Sequence, residues 1–114
     1  MRTASFFTDA GPGRVSVARW APRRTPPGFR VYRPLNPTAD MLELPRAEYE
    51  PLYRAILGRL DPRRVVADLH RLAEPHEPVL LCWERPPFSE TVWCHRRMVA
   101  AWFHETLGLD VPEV

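Results

Sequence analysis

The spacing of apolar and polar positions divides the chain into strand-like and helix-like stretches. Ser5-Phe6-Phe7-Thr8 is a short strand candidate, closed by a Gly11-Pro12-Gly13 turn. Arg14 to Trp20 alternates apolar and polar residues, the period of a strand. Pro22 to Gly28 holds three prolines and two arginines and reads as a loop; Phe29 to Tyr32 is a further short extended segment leading into Pro34-Leu35-Asn36-Pro37. Tyr49, Leu52, Tyr53, Ile56, Leu57 and Leu60 recur at helical spacing, which predicts a helix with one inward face. Pro51 suits that helix only in its first turn, where a missing N–H has no partner to lose. Asp61-Pro62 is an N-cap followed by proline at the first helical position, and the second helix so begun buries Val65, Val66, Leu69 and Leu72 until Pro75 ends it. Val79 to Trp83 is an unbroken apolar run between Pro78 and Pro86-Pro87, the pattern of a central strand covered on both faces. A last helix runs from about Thr91 or Cys94 to Leu107, with Met98, Val99, Trp102 and Phe103 inward and Gly108 just past its end.

Strands, two helices, a buried strand and a helix in this order predict an α/β fold: a single small domain over 1–114 with a largely parallel sheet and flanking helices. A length of 114 residues suits one core. No apolar run approaches the ~18 residues of a membrane span. The first residues lack the apolar centre of a signal peptide, since Thr8, Asp9 and Gly11 closely follow Phe6 and Phe7. These features point to a cytoplasmic protein without a membrane partner.

Composition narrows the chemistry. All 16 basic residues are Arg, so Schiff-base and lysine general-base mechanisms are excluded. The net charge of +2 is too small to argue for nucleic acid, which would need Arg23, Arg24, Arg30 and Arg33 gathered on one face. Arg23, Arg24, Arg63 and Arg64 read more simply as solvated surface charge. Two cysteines, Cys82 and Cys94, are too few for a disulfide framework or a four-thiolate zinc site, and in the cytoplasm they are expected as reduced thiols. Cys82, Cys94, His95 and Glu84 include the right donor types for zinc but not the paired spacing of its usual motifs, so no metal is predicted.

The chemistry concentrates in Leu80 to Arg97, LLCWERPPFSETVWCHRR. In open α/β sheets ligands bind beyond the carboxyl ends of the strands. Glu84 and Arg85 fall at that end of the buried strand, and Cys94, His95, Arg96 and Arg97 fall at the start of the following helix. Free N–H groups there favour an anion and lower a thiol pKa; Arg96 adds a two-pronged donor, and His95 a group that titrates near neutral pH. The plainer readings are a Cys82 core thiol, a Cys94 that merely packs, a Glu84–Arg96 ion pair tying loop to helix, and Trp83, Trp93 and Trp102 as core.

LLCWE followed by CHRR resembles the C-terminal signature of the domain of unknown function 488 family. Ser16-Val17-Ala18-Arg19 with Pro22, then Gly28, Tyr32 and Leu35-Asn36-Pro37, is similar to that family's N-terminal half in order and spacing, and Glu113 also fits. The resemblance implies one α/β domain whose shared polar residues are Arg19, Glu84, Cys94, His95 and Arg96. The loop from Arg85 to Trp93 is longer than the family's. The family has no established reaction.

The resulting expectation is a site at the carboxyl end of the Val79–Trp83 strand. Glu84, Cys94 and His95 are the candidate catalytic groups, and Arg19, Tyr32 and Arg96 bind a small anionic ligand. A small enzyme acting on a nucleotide-like or phosphorylated molecule ranks first. A non-catalytic module binding an anion or nucleic acid, and a purely structural domain, are the alternatives. No cofactor or oligomeric state is indicated.

Overall fold

The computed structural model describes residues 1–89 and 91–114. Among these residues four strands, β1 (Arg2–Ser5), β2 (Arg14–Ser16), β3 (Arg30–Val31) and β4 (Val79–Cys82), form one sheet in the order β1-β4-β2-β3. Every pairing in it is parallel. The helices are α1 (Arg46–Gly58), α2 (Pro62–Ala73) and α3 (His95–Leu107), with 3₁₀ turns at Arg33–Leu35 and Ala39–Glu43. The fold is a single small α/β domain. None of the described helices is long and apolar enough to cross a membrane.

The apolar run places β4 in the middle. All four of its residues are buried, and it pairs with β1 on one side and β2 on the other. Its two faces meet different cover. Leu80 joins Val15 and Val17 in the main core with Tyr53, Leu57, Val65, Leu69, Val99 and Phe103 from the three helices. Val79 and Leu81 point the other way, into a smaller cluster with Ala4, Phe6 and Ala18, against which Phe29 packs. The helices therefore lie on one face, and the far face is covered by side chains of loops and strand ends. Pro112 to Val114 closes the outer edge of β1: Thr3 N donates to Pro112 O at 2.9 Å, and Val114 N to Thr3 O at 2.9 Å.

Several expected elements shift. The first strand is Arg2–Ser5, and Phe6 to Thr8 form a turn in which Thr8 N donates to Ser5 O. The alternating stretch keeps strand form only over Arg14–Ser16; beyond it the chain turns away, and Trp20 is 59% exposed. α1 begins at Arg46, where Glu48 and Tyr49 donate to Pro45 O, so Pro51 lies in the second turn and removes one helical hydrogen bond. Burial of Tyr49, Tyr53 and Leu57 holds the helix across that gap, while Leu52, expected inside, is 48% exposed. Arg14 is buried and organises the proline-rich loop by donating to the carbonyls of Gly11, Pro26 and Pro27. α2 starts as the sequence indicates, with Asp61 accepting from Arg63 N at 3.1 Å.

Candidate functional site

Parallel pairing brings the carboxyl ends of β2 and β4 to one edge, Ser16 beside Leu81, and the N-terminus of α3 meets them there. Cys82 ends β4 and Cys94 is the N-cap of α3. Their Cα atoms are 6.8 Å apart and their sulfurs are joined in a disulfide. The two thiols are therefore not free, which corrects the expectation of a reduced pair and of an activated Cys94 thiolate. Adjacent sequence elements could not reveal this; the contact exists only because strand end and helix start share an edge.

His95 sits directly behind the disulfide, 5% exposed. Its Nε2 donates to Val17 O at 2.7 Å, which leaves Nδ1 as the acceptor nitrogen, 3.4 Å from Cys82 Sγ and 3.7 Å from Cys94 Sγ. Tyr53 meets the ring edge-on at 5.1 Å. Burial pushes the imidazole down to about 4; Arg96 adds to the shift and the hydrogen bond to Val17 partly opposes it. His95 is thus neutral near pH 7, with both ring nitrogens turned to protein atoms.

In front of the disulfide lies a cleft of about 410 Å³. Arg19, Glu84 and Tyr49 bring polar atoms to it, and Trp20, Trp83 and Trp93 supply aromatic walls. The Arg19 guanidinium lies 5.1 Å from the centre of the Trp20 ring, and Trp83 Nε1 donates to Trp20 O at 2.6 Å, so the two strand-end loops brace each other. Burial, and then the nearby Glu84 charge, hold the Tyr49 phenol well above its usual pKa, which keeps it a protonated donor. Trp83, read from sequence as core, is 43% exposed because it follows the last residue of β4 and turns out of the sheet.

Two predicted ligand-binding residues stand elsewhere. Arg96 is fully buried: Nε and Nη2 donate to the Glu113 carboxylate at 3.0 and 2.7 Å, and Nη2 also to Glu84 O at 2.7 Å. It ties the loop after β4 to α3, as the ion-pair reading anticipated, but Glu113 is the carboxylate and Glu84 contributes its backbone. Tyr32 donates to Asp68 Oδ2 at 2.7 Å, joining the segment after β3 to α2. Neither lines the cleft. Arg19, Glu84, Cys94 and His95 do meet there. Tyr49 was missed because its helical spacing marks it as core, and it is core except at its phenolic end. Arg23, Arg24, Arg63 and Arg64 are exposed, as read. Glu90, in the 85–93 loop, lies outside the described residues.

Compared with protein-family models, curated proteins and solved structures, the chain matches none of them.

Proposed function

We propose that the chain is a small cytoplasmic enzyme whose cleft takes a nucleotide-like or phosphorylated small molecule. The observation that carries this reading is the convergence of Arg19, Glu84 and three tryptophans on one cavity of about 410 Å³, at the carboxyl ends of parallel strands. Arg19 supplies a fixed positive charge for a phosphate or carboxylate, and the indole faces suit a flat base or sugar ring. Acid–base work falls to Glu84. His95 turns both nitrogens to protein atoms and orients the site from behind. The resemblance to the domain of unknown function 488 family belongs to the same proposal, supported by Arg19, Glu84, Cys94 and His95 sharing one edge of the sheet.

The commitment of His95 also favours a second reading, a binding module without turnover, because among the described residues lining the cleft it leaves Glu84 as the carboxylate available to act on a ligand, beside a Tyr49 phenol that stays protonated. A thermal-shift screen of nucleotides, nucleosides and sugar phosphates tests both. A ligand present at about 100 times its dissociation constant stabilises the native state by about 2.7 kcal/mol. The expected result is a raised midpoint with at least one anionic compound, lost in Arg19→Ala and kept in Tyr32→Phe. No shift with any compound at millimolar concentration refutes the anion-binding cleft. A shift without chemical change of the bound compound selects the binding module.

A further inference from the structure

Among the described residues, Cys82, Cys94 and His95 place one donor atom each within 4.8 Å of the other two. In the disulfide form this cluster is left chemically incomplete. His95 Nε2 donates to Val17 O, so Nδ1 presents a lone pair to two sulfurs that carry no proton. A buried acceptor without a donor is unfavourable, and here it is aimed at the sulfur pair. An imidazole whose far N–H is fixed by a backbone carbonyl is also the usual arrangement behind a metal-bound histidine.

Distances support the same conclusion. A tetrahedral zinc ion with bonds of about 2.3 Å to sulfur and about 2.05 Å to nitrogen separates a sulfur from a nitrogen ligand by about 3.6 Å. The observed separations, 3.4 and 3.7 Å, bracket that value. Reduction of the bond between the sulfurs frees them to separate to the about 3.8 Å of two thiolates on one tetrahedral ion. Glu84 Oε2 lies 3.7 Å from Cys82 Sγ, and Glu84 lines the cleft.

We propose that the reduced protein binds one zinc-like divalent cation through Cys82 Sγ, Cys94 Sγ and His95 Nδ1, with the fourth position open to the cleft beside Glu84, and that the disulfide is the oxidised, metal-free state of the same site. The two states exclude each other because both use the same sulfur electron pairs. With hydrogen peroxide as the oxidant, one thiolate attacks the peroxide and becomes a sulfenic acid, releasing hydroxide. The second thiolate then displaces hydroxide from that sulfur to form the disulfide. The sulfurs together lose two electrons, the peroxide and two protons become two waters, and the cation leaves still divalent. A dithiol reverses the change. Cys94 borders both the cleft and a second cavity of about 420 Å³ on its other side, which gives ion and oxidant a route in.

The test uses the full chain, reduced by a phosphine and titrated without oxygen with cobalt(II). The expected result is uptake of one equivalent, with thiolate-to-cobalt charge-transfer absorption and the intense visible bands of a tetrahedral ion, displaced by zinc. The same protein in its disulfide form takes up none. Peroxide added to the zinc-loaded protein releases zinc to a colorimetric chelator while the protein loses two hydrogens by mass. Arg19→Ala retains cobalt uptake, so failure of the small-molecule cleft is distinguishable from failure of the metal site. Cys94→Ser abolishes the charge-transfer band; should that variant not fold, the comparison of reduced and oxidised wild type carries the test alone. No cobalt uptake by the reduced chain, uptake without charge-transfer absorption, or equal uptake by the disulfide form each overturns the proposal.

Discussion

Replacing Glu113 by Ala strips the buried Arg96 of its carboxylate partner. Arg96 is fully buried and spends Nε and Nη2 on Glu113; among the described residues Glu84 O is its one further acceptor, Nη1 has no hydrogen-bond partner, and the Phe88 ring centre lies 5.0 Å from the guanidinium carbon. After truncation, among the described residues, a desolvated guanidinium keeps a single backbone carbonyl and the face of Phe88. Breaking a buried ion pair from one side costs about 3–5 kcal/mol. The Glu113 side chain is 16% exposed, so water can enter the space it leaves, and the lower end, about 3 kcal/mol, applies. Thr3 Oγ1, which donates to Glu113 at 2.7 Å, loses its acceptor too but can turn to the same water. For a domain of this size a loss of about 3 kcal/mol lowers the thermal midpoint by about 12 °C. Urea unfolding of wild type and Glu113→Ala, followed by tryptophan fluorescence and far-UV circular dichroism, measures it directly. A destabilisation below about 1 kcal/mol with unchanged urea dependence would show that Arg96 finds other acceptors and that the Glu113 pair does not hold α3 to the loop after β4.

Two further outcomes follow from buried groups and backbone geometry. His95 takes up a proton near 6.5 when unfolded but only near 4 when folded, so in the metal-free disulfide form stability is full above pH 6.5 and falls as the pH drops toward 4, by about 3 kcal/mol in total. Urea midpoints of wild type and His95→Gln at pH 7 and pH 4.5 check this; identical pH dependence in the two proteins would refute it. Gly13 has φ +81°, and a Cβ there would lie 2.2 Å from Glu77 O, beside the Val79 N to Gly13 O hydrogen bond that leads into β4. Gly13→Ala is therefore expected to cost more than about 2 kcal/mol in chemical denaturation, and a loss under 0.5 kcal/mol would contradict that geometry.

The elements whose signals are local were legible in the chain. Val79 to Cys82 is wholly apolar between prolines, so it had to be covered on both sides and became the centre of the sheet. Asp61-Pro62 carries its own capping oxygen and fixed φ, and Gly108 takes the left-handed conformation that ends α3. Even the edge of the site was foreseeable, because parallel strands direct their carboxyl ends, and the helix starts that follow, to one side. The partners of each polar side chain were decided only by the tertiary structure. Nothing in the sequence could set Arg96 against Glu113, Tyr32 against Asp68, or His95 Nε2 against Val17 O, since each pair joins elements distant along the chain. Pro51 in the second turn of α1 shows the same rule for the backbone, where burial of Tyr49, Tyr53 and Leu57 outweighs a local preference. The two cysteines are the sharpest case. Separated by twelve positions and lacking any motif spacing, they become a bonded pair facing an imidazole because β4 ends where α3 begins. Local propensity acts over a few residues, whereas bonding between side chains depends on which surfaces the buried core brings face to face.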